Sequence, residues 1–221
     1  MTEKSPCRLA VLVSGDGSNL QALINAIEEK KLPCTIALVL SNRPDSGALG
    51  RAERAGIPRV LLPHKDFQRR EDFDRALLKR VNEAAPNLVI LAGFMRILTP
   101  IFVDPWQGRL LNLHPSLLPK YPGLCTHEQA IANGDAQHGA TVHFVIEDLD
   151  QGPRIIQGAV PVRPEHTPKS LQEEVRRQEH RILPLAVKWF ADGRLEMAEN
   201  GVLLDGKPLP KSGYRYRGDA L

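Results

Sequence analysis

The stretch that most restricts the fold is 8–19, RLAVLVSGDGSN, in which an unbroken apolar run stops at two glycines and passes into a helical pattern over 19–30. A strand apolar at every position, rather than at alternate ones, has to be buried on both faces, and that is how strands of a parallel sheet covered by helices read. The pattern recurs. Residues 34–40 (CTIALVL) and 87–92 (NLVILA) are further continuous apolar runs, and 59–62 and 109–113 (RLLNL) are shorter ones. Between them, 47–55 reads as a short helix and 66–84 as a charged amphipathic one, with Phe67, Phe73, Leu77, Leu78 and Val81 on its apolar side. Strands alternating with helices predict an α/β fold, an open, mostly parallel, twisted sheet with helices on both faces. After Gly139 the pattern changes. Residues 139–147 (GATVHFVIE) and 154–162 (RIIQGAVPV) predict neighbouring, partly antiparallel strands, followed by a helix over 170–191 and short strands and turns from 194 onward. No repeat or linker interrupts the chain, so 1–221 reads as a single domain, with partial disorder expected in the basic, Gly/Pro-rich tail 206–221.

Composition narrows the classes of function. The net charge of +3 is small, and the basic residues cluster only in pairs such as Arg69-Arg70 and Arg176-Arg177, which suits an anionic small molecule at least as well as a nucleic acid. Cys7, Cys34 and Cys125 are odd in number and widely spaced, so neither a disulfide framework nor a metal knuckle is indicated; a reducing, cytoplasmic setting is expected. No run approaches the ~18 apolar residues of a membrane span. The seven histidines form no HExxH, Cys125-Thr126-His127 lacks partners at finger spacing, and His138 and His143 have no adjacent acid pair; no metal is expected. Ser116 and Cys125 lack nucleophile signatures and read as a turn serine and a partly buried thiol.

Open α/β sheets bind ligands beyond the carboxyl ends of their parallel strands. Three polar segments fall there: 15–19, 93–98 and 112–119. In the first, glycines let the backbone turn tightly before a helix N-terminus, whose unpaired N–H groups attract an anion; Ser18 is the expected N-cap. The loop lacks the GxxxxGK[ST] of NTPases, and Leu20 stands where a dinucleotide fingerprint needs its third glycine, which leaves a monophosphate. In the third segment, strand alternation turns Asn112 and His114 to one face, joining an amide donor to a group that titrates near neutrality, a pair suited to acyl transfer. The turn 148–153 (DLDQGP) reads as a solvated loop unless it folds back to bring Asp150 over His114.

LVSGDGSNLQALI, LAGFMRIL, LLNLHPSLLPKYPG, HGATVHFV and LDQGP together make the chain resemble the monofunctional glycinamide ribonucleotide formyltransferases over nearly its full length. The resemblance implies formyl transfer from 10-formyltetrahydrofolate to the glycinamide amine, in purine synthesis, with no metal, no nucleic acid, no membrane, and a monomer or homodimer. It implies Asn112, His114 and Asp150 as the catalytic trio, with His114 protonated beside Asp150. It places the ribonucleotide phosphate on Gly17, Ser18 and Asn19, with Glu179 at the glycinamide. The folate falls to Arg70, Met95, Arg96, Ile97 and Leu98, and to Asn112, Ile146, Glu147, Asp148, Leu149 and Asp150. Some relatives carry His where this chain has Cys125. A formyltetrahydrofolate hydrolase is the alternative, and methionyl-tRNA formylation a further one. Both usually bring an extra domain, which is not expected here.

Overall fold

Leu9, Ala10, Val11 and Leu12 are wholly excluded from solvent, as a strand apolar at every position requires. They belong to β1 (Cys7–Val13), the centre of the first of two compact units that part between Leu111 and Asn112. The computed structural model describes residues 5–218. In the first unit β1 is followed by α1 (Ser18–Glu28), β2 (Cys34–Ser41), α2 (Gly47–Arg54), β3 (Arg59–Leu61), α3 (Arg70–Glu83), β4 (Leu88–Leu91), the short α4 (Pro100–Val103) and the start of β5 (Leu110–His114). The strand order β4-β1-β2-β3 is parallel throughout. Leu20, Leu23 and Ile24 seal α1 into the core, and Phe73, Leu77 and Val81 do the same for α3.

Two local expectations need correction here. Helix α3 starts at Arg70, not at 66: His64–Asp66 make a separate 3₁₀ turn, and Phe67 is extended at φ −117° and ψ 132°. Phe67 still packs edge-on against Phe73, with ring centroids 5.6 Å apart, but from outside the helix. Ser18 does not cap α1. Gly17 occupies the cap at φ 80° and makes no side-chain cap hydrogen bond.

The second unit holds the end of β5, then α5 (Thr126–Ala132), β6 (Gln137–Phe144), β7 (Arg154–Pro161), α6 (Pro168–Ala191), β8 (Leu195–Ala198), β9 (Gly201–Leu204), β10 (Lys207–Pro208) and β11 (Tyr214–Arg215). Its strand order is β11-β7-β6-β5. The predicted antiparallel pair is present as β6 with β7. Strand β6 stops at Phe144 rather than at 147, because the Phe144 N–H donates to the Pro153 carbonyl at the neck of the following loop (3.0 Å) and the chain turns away. Strands β8, β9 and β10 form a small antiparallel sheet. Helix α6 opens with a capping box between Thr167 and Ser170 and buries Leu171, Val175 and Ile182. The tail is not disordered through 218: β11 pairs in parallel with β7, Tyr214 opposite Ile156, and Tyr214 meets Trp189 edge-on at 5.4 Å. Residues 219–221 of that tail lie outside the described residues. The fold class is the one read from the sequence, α/β with mostly parallel strands and antiparallel pairing toward the C-terminal part.

Candidate active site

In the first unit, the carboxyl ends of β1, β2 and β4 are tied together by one buried hydroxyl. Ser14 Oγ donates to Asn42 Oδ1 (2.6 Å) and accepts from the Met95 N–H (2.7 Å), while the Ser14 N–H donates to the Gly93 carbonyl (3.0 Å). The glycine turn 15–17 and the segment starting at Gly93, two of the three polar segments, are therefore neighbours. Helix α2 packs beneath the turn. Ser46 Oγ donates to the Gly15 carbonyl (2.8 Å), and Arg51 grips both the Asp16 carbonyl (2.9 Å) and its carboxylate (3.0 Å). Gly17 is needed twice over: its φ of 80° is left-handed, and a Cβ there would lie 2.8 Å from Ala48 Cα and Cβ. The N-terminus of α1, with half-buried Ser18 and Asn19, thus lacks a side-chain cap, as an anion-binding helix start does.

Met95 and Ile97 beside this turn are exposed apolar side chains, 62% and 47% accessible. Between them Arg96 turns inward over the Phe73 ring, 5.4 Å from its centroid. The segment is pinned by Asp74, wholly buried on α3, whose Oδ2 accepts from the Thr99 N–H at 2.6 Å. Burial holds the Asp74 carboxyl above its ordinary range despite that bond and the charges of Arg96 and Arg70. Arg70 is exposed at the first position of α3.

In the second unit, Asn112 and His114 share one face of β5, and the loop after β6 folds back over them. The acidic turn is not a solvated bystander. Asp150 is buried, Oδ2 lies 3.4 Å from His114 Nδ1, and Oδ1 accepts from Asn112 Nδ2 (3.3 Å). Folding back requires Gly152, because a Cβ there would sit 1.7 Å from the Phe144 carbonyl oxygen. It also leaves Asp150 itself in the left-handed region, at φ 55°, a strain of the kind that concentrates at functional sites.

Backbone groups of the loop after β5 complete the cluster. His114 Nε2 donates to the Tyr121 carbonyl (2.8 Å), and the Gly123 N–H donates to Asp150 Oδ2 (2.9 Å). A carbonyl only accepts, so Nε2 carries a proton, and in the neutral ring Nδ1, facing the carboxylate, is then the basic nitrogen. His143 also reaches the cluster: its Nε2 lies 3.7 Å from Asp150 Oδ1 and 3.1 Å from Asn112 Nδ2. Its Nδ1 donates to the Phe144 carbonyl (2.8 Å), which leaves Nε2 free to accept from Asn112 and sets the amide's orientation. Behind the loop, Thr141 and Gln157 form a closed buried network. Gln157 Nε2 donates to the Leu118 carbonyl and Thr141 Oγ1, Thr141 Oγ1 donates to the Ser116 carbonyl, and the Leu118 N–H donates back to Thr141.

Burial pushes the His114 imidazole below its ordinary value, against the upward pulls of the Asp150 carboxylate and the Tyr121 carbonyl, with His143 adding to the fall. Burial alone would raise the Asp150 carboxyl. The His143 contact, the His114 charge and the Gly123 N–H together outweigh it, and the carboxyl lies below its ordinary value. Burial thus opposes the imidazolium that the Asp150 carboxylate and the Tyr121 carbonyl favour. In its neutral form the pair sets a buried carboxylate opposite the basic Nδ1, an arrangement that can accept a proton and then stabilise the charge.

Of the remaining expected site residues, Glu179 is half-buried on α6, Ile146 is half-buried, and Glu147, Asp148 and Leu149 are exposed on the loop that carries Asp150. Cys125 is not partly buried but exposed, and it caps α5 in the left-handed conformation at φ 58°. Ser116 is buried and donates to the Lys120 carbonyl (2.6 Å). Among the described residues no three His, Cys, Asp or Glu side chains group to hold a metal ion, and no helix is long and apolar enough to cross a membrane.

An amide, an imidazole and a carboxylate brought together in an α/β chain are groups that general acid–base and oxyanion chemistry uses. The chain belongs to the formyl transferase family, whose model matches residues 7–187. It is 52% identical over 206 residues to the phosphoribosylglycinamide formyltransferase of Escherichia coli (strain K12), covering 93% of this chain and 97% of that one. The Haemophilus influenzae phosphoribosylglycinamide formyltransferase is 46% identical, with 94% and 98% covered. Among solved structures, that of the phosphoribosylglycinamide formyltransferase from Coxiella burnetii superposes with a TM-score of 0.92 at 48% identity, over 96% of this chain and all of that one. The chain is a formyltransferase.

Proposed function

We propose that the chain acts as one catalytic domain and transfers the formyl group of 10-formyltetrahydrofolate to the amine of phosphoribosylglycinamide, in purine synthesis. The observation that carries the chemistry is the His114–Asp150 pair, with Asn112 beside it. The ribonucleotide phosphate sits on the N–H groups opened by Gly17, with Ser18 and Asn19, and Glu179 meets the glycinamide. The folate lies on the apolar Met95 and Ile97 and along 146–150, with Arg70 at its glutamate carboxylate.

The neutral amine attacks the formyl carbon, and Asn112 turns its longer amide contact, the 3.3 Å one to Asp150, to the developing oxyanion. His114 Nδ1 takes the proton the amine sheds, directly or through water. Asp150 holds the imidazolium that forms, whose charge steadies the oxyanion. The same proton then passes to N10 of the folate as the C–N bond breaks, which returns His114 to neutrality. The test is a spectrophotometric assay of folate deformylation with and without phosphoribosylglycinamide. Ribonucleotide-dependent turnover is expected, with a fall of at least about 10²-fold in His114→Ala. Formate release at the same rate without ribonucleotide would instead indicate a hydrolase.

A further inference from the structure

Tyr121 is a bulky residue held at φ 55°, in the left-handed region, where side chains other than glycine are disfavoured. That conformation has a visible product, since it turns the Tyr121 carbonyl onto His114 Nε2, 2.8 Å away. It also has a visible restraint at the other end of the residue. The phenol donates to Asp135 Oδ2 (2.9 Å) and accepts from Asn133 Nδ2 (2.9 Å), so its hydrogen bonding is complete. The other oxygen of Asp135 holds Lys120, the residue before Tyr121, at 2.7 Å. Asp135 is itself fixed to the end of α5, its N–H donating to the Ala130 carbonyl (3.1 Å). Its two oxygens thus grip two consecutive residues, and two positions further on Gly123 delivers its N–H to Asp150.

We propose that Asp135, which contacts none of the catalytic side chains, is a positioning residue: by clamping Lys120 and Tyr121 it aims the Tyr121 carbonyl and so fixes the proton of His114 on Nε2. The consequence is chemical rather than only structural. With Nε2 committed, Nδ1 is the basic nitrogen facing Asp150, as the proton transfer requires. Without the Tyr121 carbonyl, neutral His114 gains more by placing its proton on Nδ1, where the carboxylate accepts it, and the base is then occupied. This rests on the catalytic reading of His114 given above.

The experiment pairs steady-state kinetics with the ¹⁵N-histidine spectrum of the full chain in Asp135→Ala, Asp135→Asn and Tyr121→Phe. In Asp135→Ala the His114 signals should move from the Nε2–H to the Nδ1–H tautomer. kcat should fall about 10²-fold, the scale of a misplaced catalytic group, with the KM for ribonucleotide unchanged. Tyr121→Phe, which keeps the ring packed near His138 (6.3 Å between centroids), should move the same signals in the same direction. Asp135→Asn, whose amide oxygen still accepts from the phenol, should restore part of both. An unchanged His114 tautomer in Asp135→Ala, or in Tyr121→Phe if the alanine variant does not fold, overturns the proposal. The tautomer is read without turnover. A His114→Ala variant that keeps its activity would therefore refute the catalytic reading and leave this measurement to decide the positioning one.

Discussion

Acid should destabilise this protein through a pair of histidines outside the catalytic cluster. His138 on β6 is 1% exposed, and its Nε2 lies 3.1 Å from Nδ1 of His127 on α5, with the rings perpendicular. One hydrogen fits between two nitrogens at that separation; a second proton on the pair would set two N–H groups against each other. Burial first, and the neighbouring His127 next, lower the His138 pKa from 6.5 to about 4, against a small opposing pull from Asp135 and the Pro115 carbonyl. His127 is lowered too, mainly by burial, with Glu128 pulling it up and Arg176 and His114 pushing it down. A histidine whose folded pKa is depressed contributes stability that is complete above its unfolded pKa and drains away as pH falls toward the folded value. For 6.5 against about 4 the loss is about 2 kcal/mol at pH 5 and approaches about 3 kcal/mol below pH 4. Urea unfolding of the wild type and His138→Gln from pH 7.5 to 4.5 reads it directly. The wild type should lose about 2–3 kcal/mol more than the variant over that range. Parallel loss in the two proteins would show that His138 is not the group that resists protonation.

Three further outcomes follow from close contacts. Gly152→Ala should lift the 148–153 loop off the Phe144 carbonyl, cutting kcat by about 10²-fold and stability by about 1–3 kcal/mol, as turnover and urea midpoints will show. Gly17→Ala meets both a positive φ and the Ala48 contact, so the KM for ribonucleotide should rise with the KM for folate unchanged; equal rises in both would argue against the assigned phosphate turn. Asp74→Ala removes the acceptor of the Thr99 N–H and should cost about 1–3 kcal/mol while raising the KM for folate, which isothermal titration with a folate analogue can check.

The fold was legible because its signals are local. Continuous apolar runs marked β1, β2 and β4, and the change of pattern after Gly139 marked the antiparallel β6 and β7. The boundaries that slipped are those decided by tertiary contact. Phe67 belongs to the apolar pattern of α3 yet packs on it from outside, and α5 is a short helix opened by Cys125 in a conformation the sequence does not announce. Asn112 and His114 were legible from strand alternation and Asp150 only through family resemblance, since nothing local tells a solvated turn from one that folds back. Gly152 is the residue that makes the difference, through a steric contact with a carbonyl eight positions earlier. His143, Tyr121 and Gly123 were missed. The first lies in a buried strand, and the other two act through backbone groups, which leave little trace in residue type.

The charge state of His114 turns on what the protein does with burial. A carboxylate 3.4 Å away argues for an imidazolium, but removal from water acts on the charged form more strongly than the single neighbour restores it. On the catalytic reading proposed above, the pair rests one proton short. Contacts to His143, His114 and Gly123 lower the Asp150 carboxyl, burial lowers the His114 imidazole, and the Tyr121 carbonyl disfavours the tautomer that would let the two satisfy each other. Any event that supplies a proton at that point, as an attacking amine must, converts an uncompensated buried carboxylate into an ion pair. The favourable interaction thus appears as the intermediate forms and not before, which is the condition for a contact to lower a barrier rather than merely to bind.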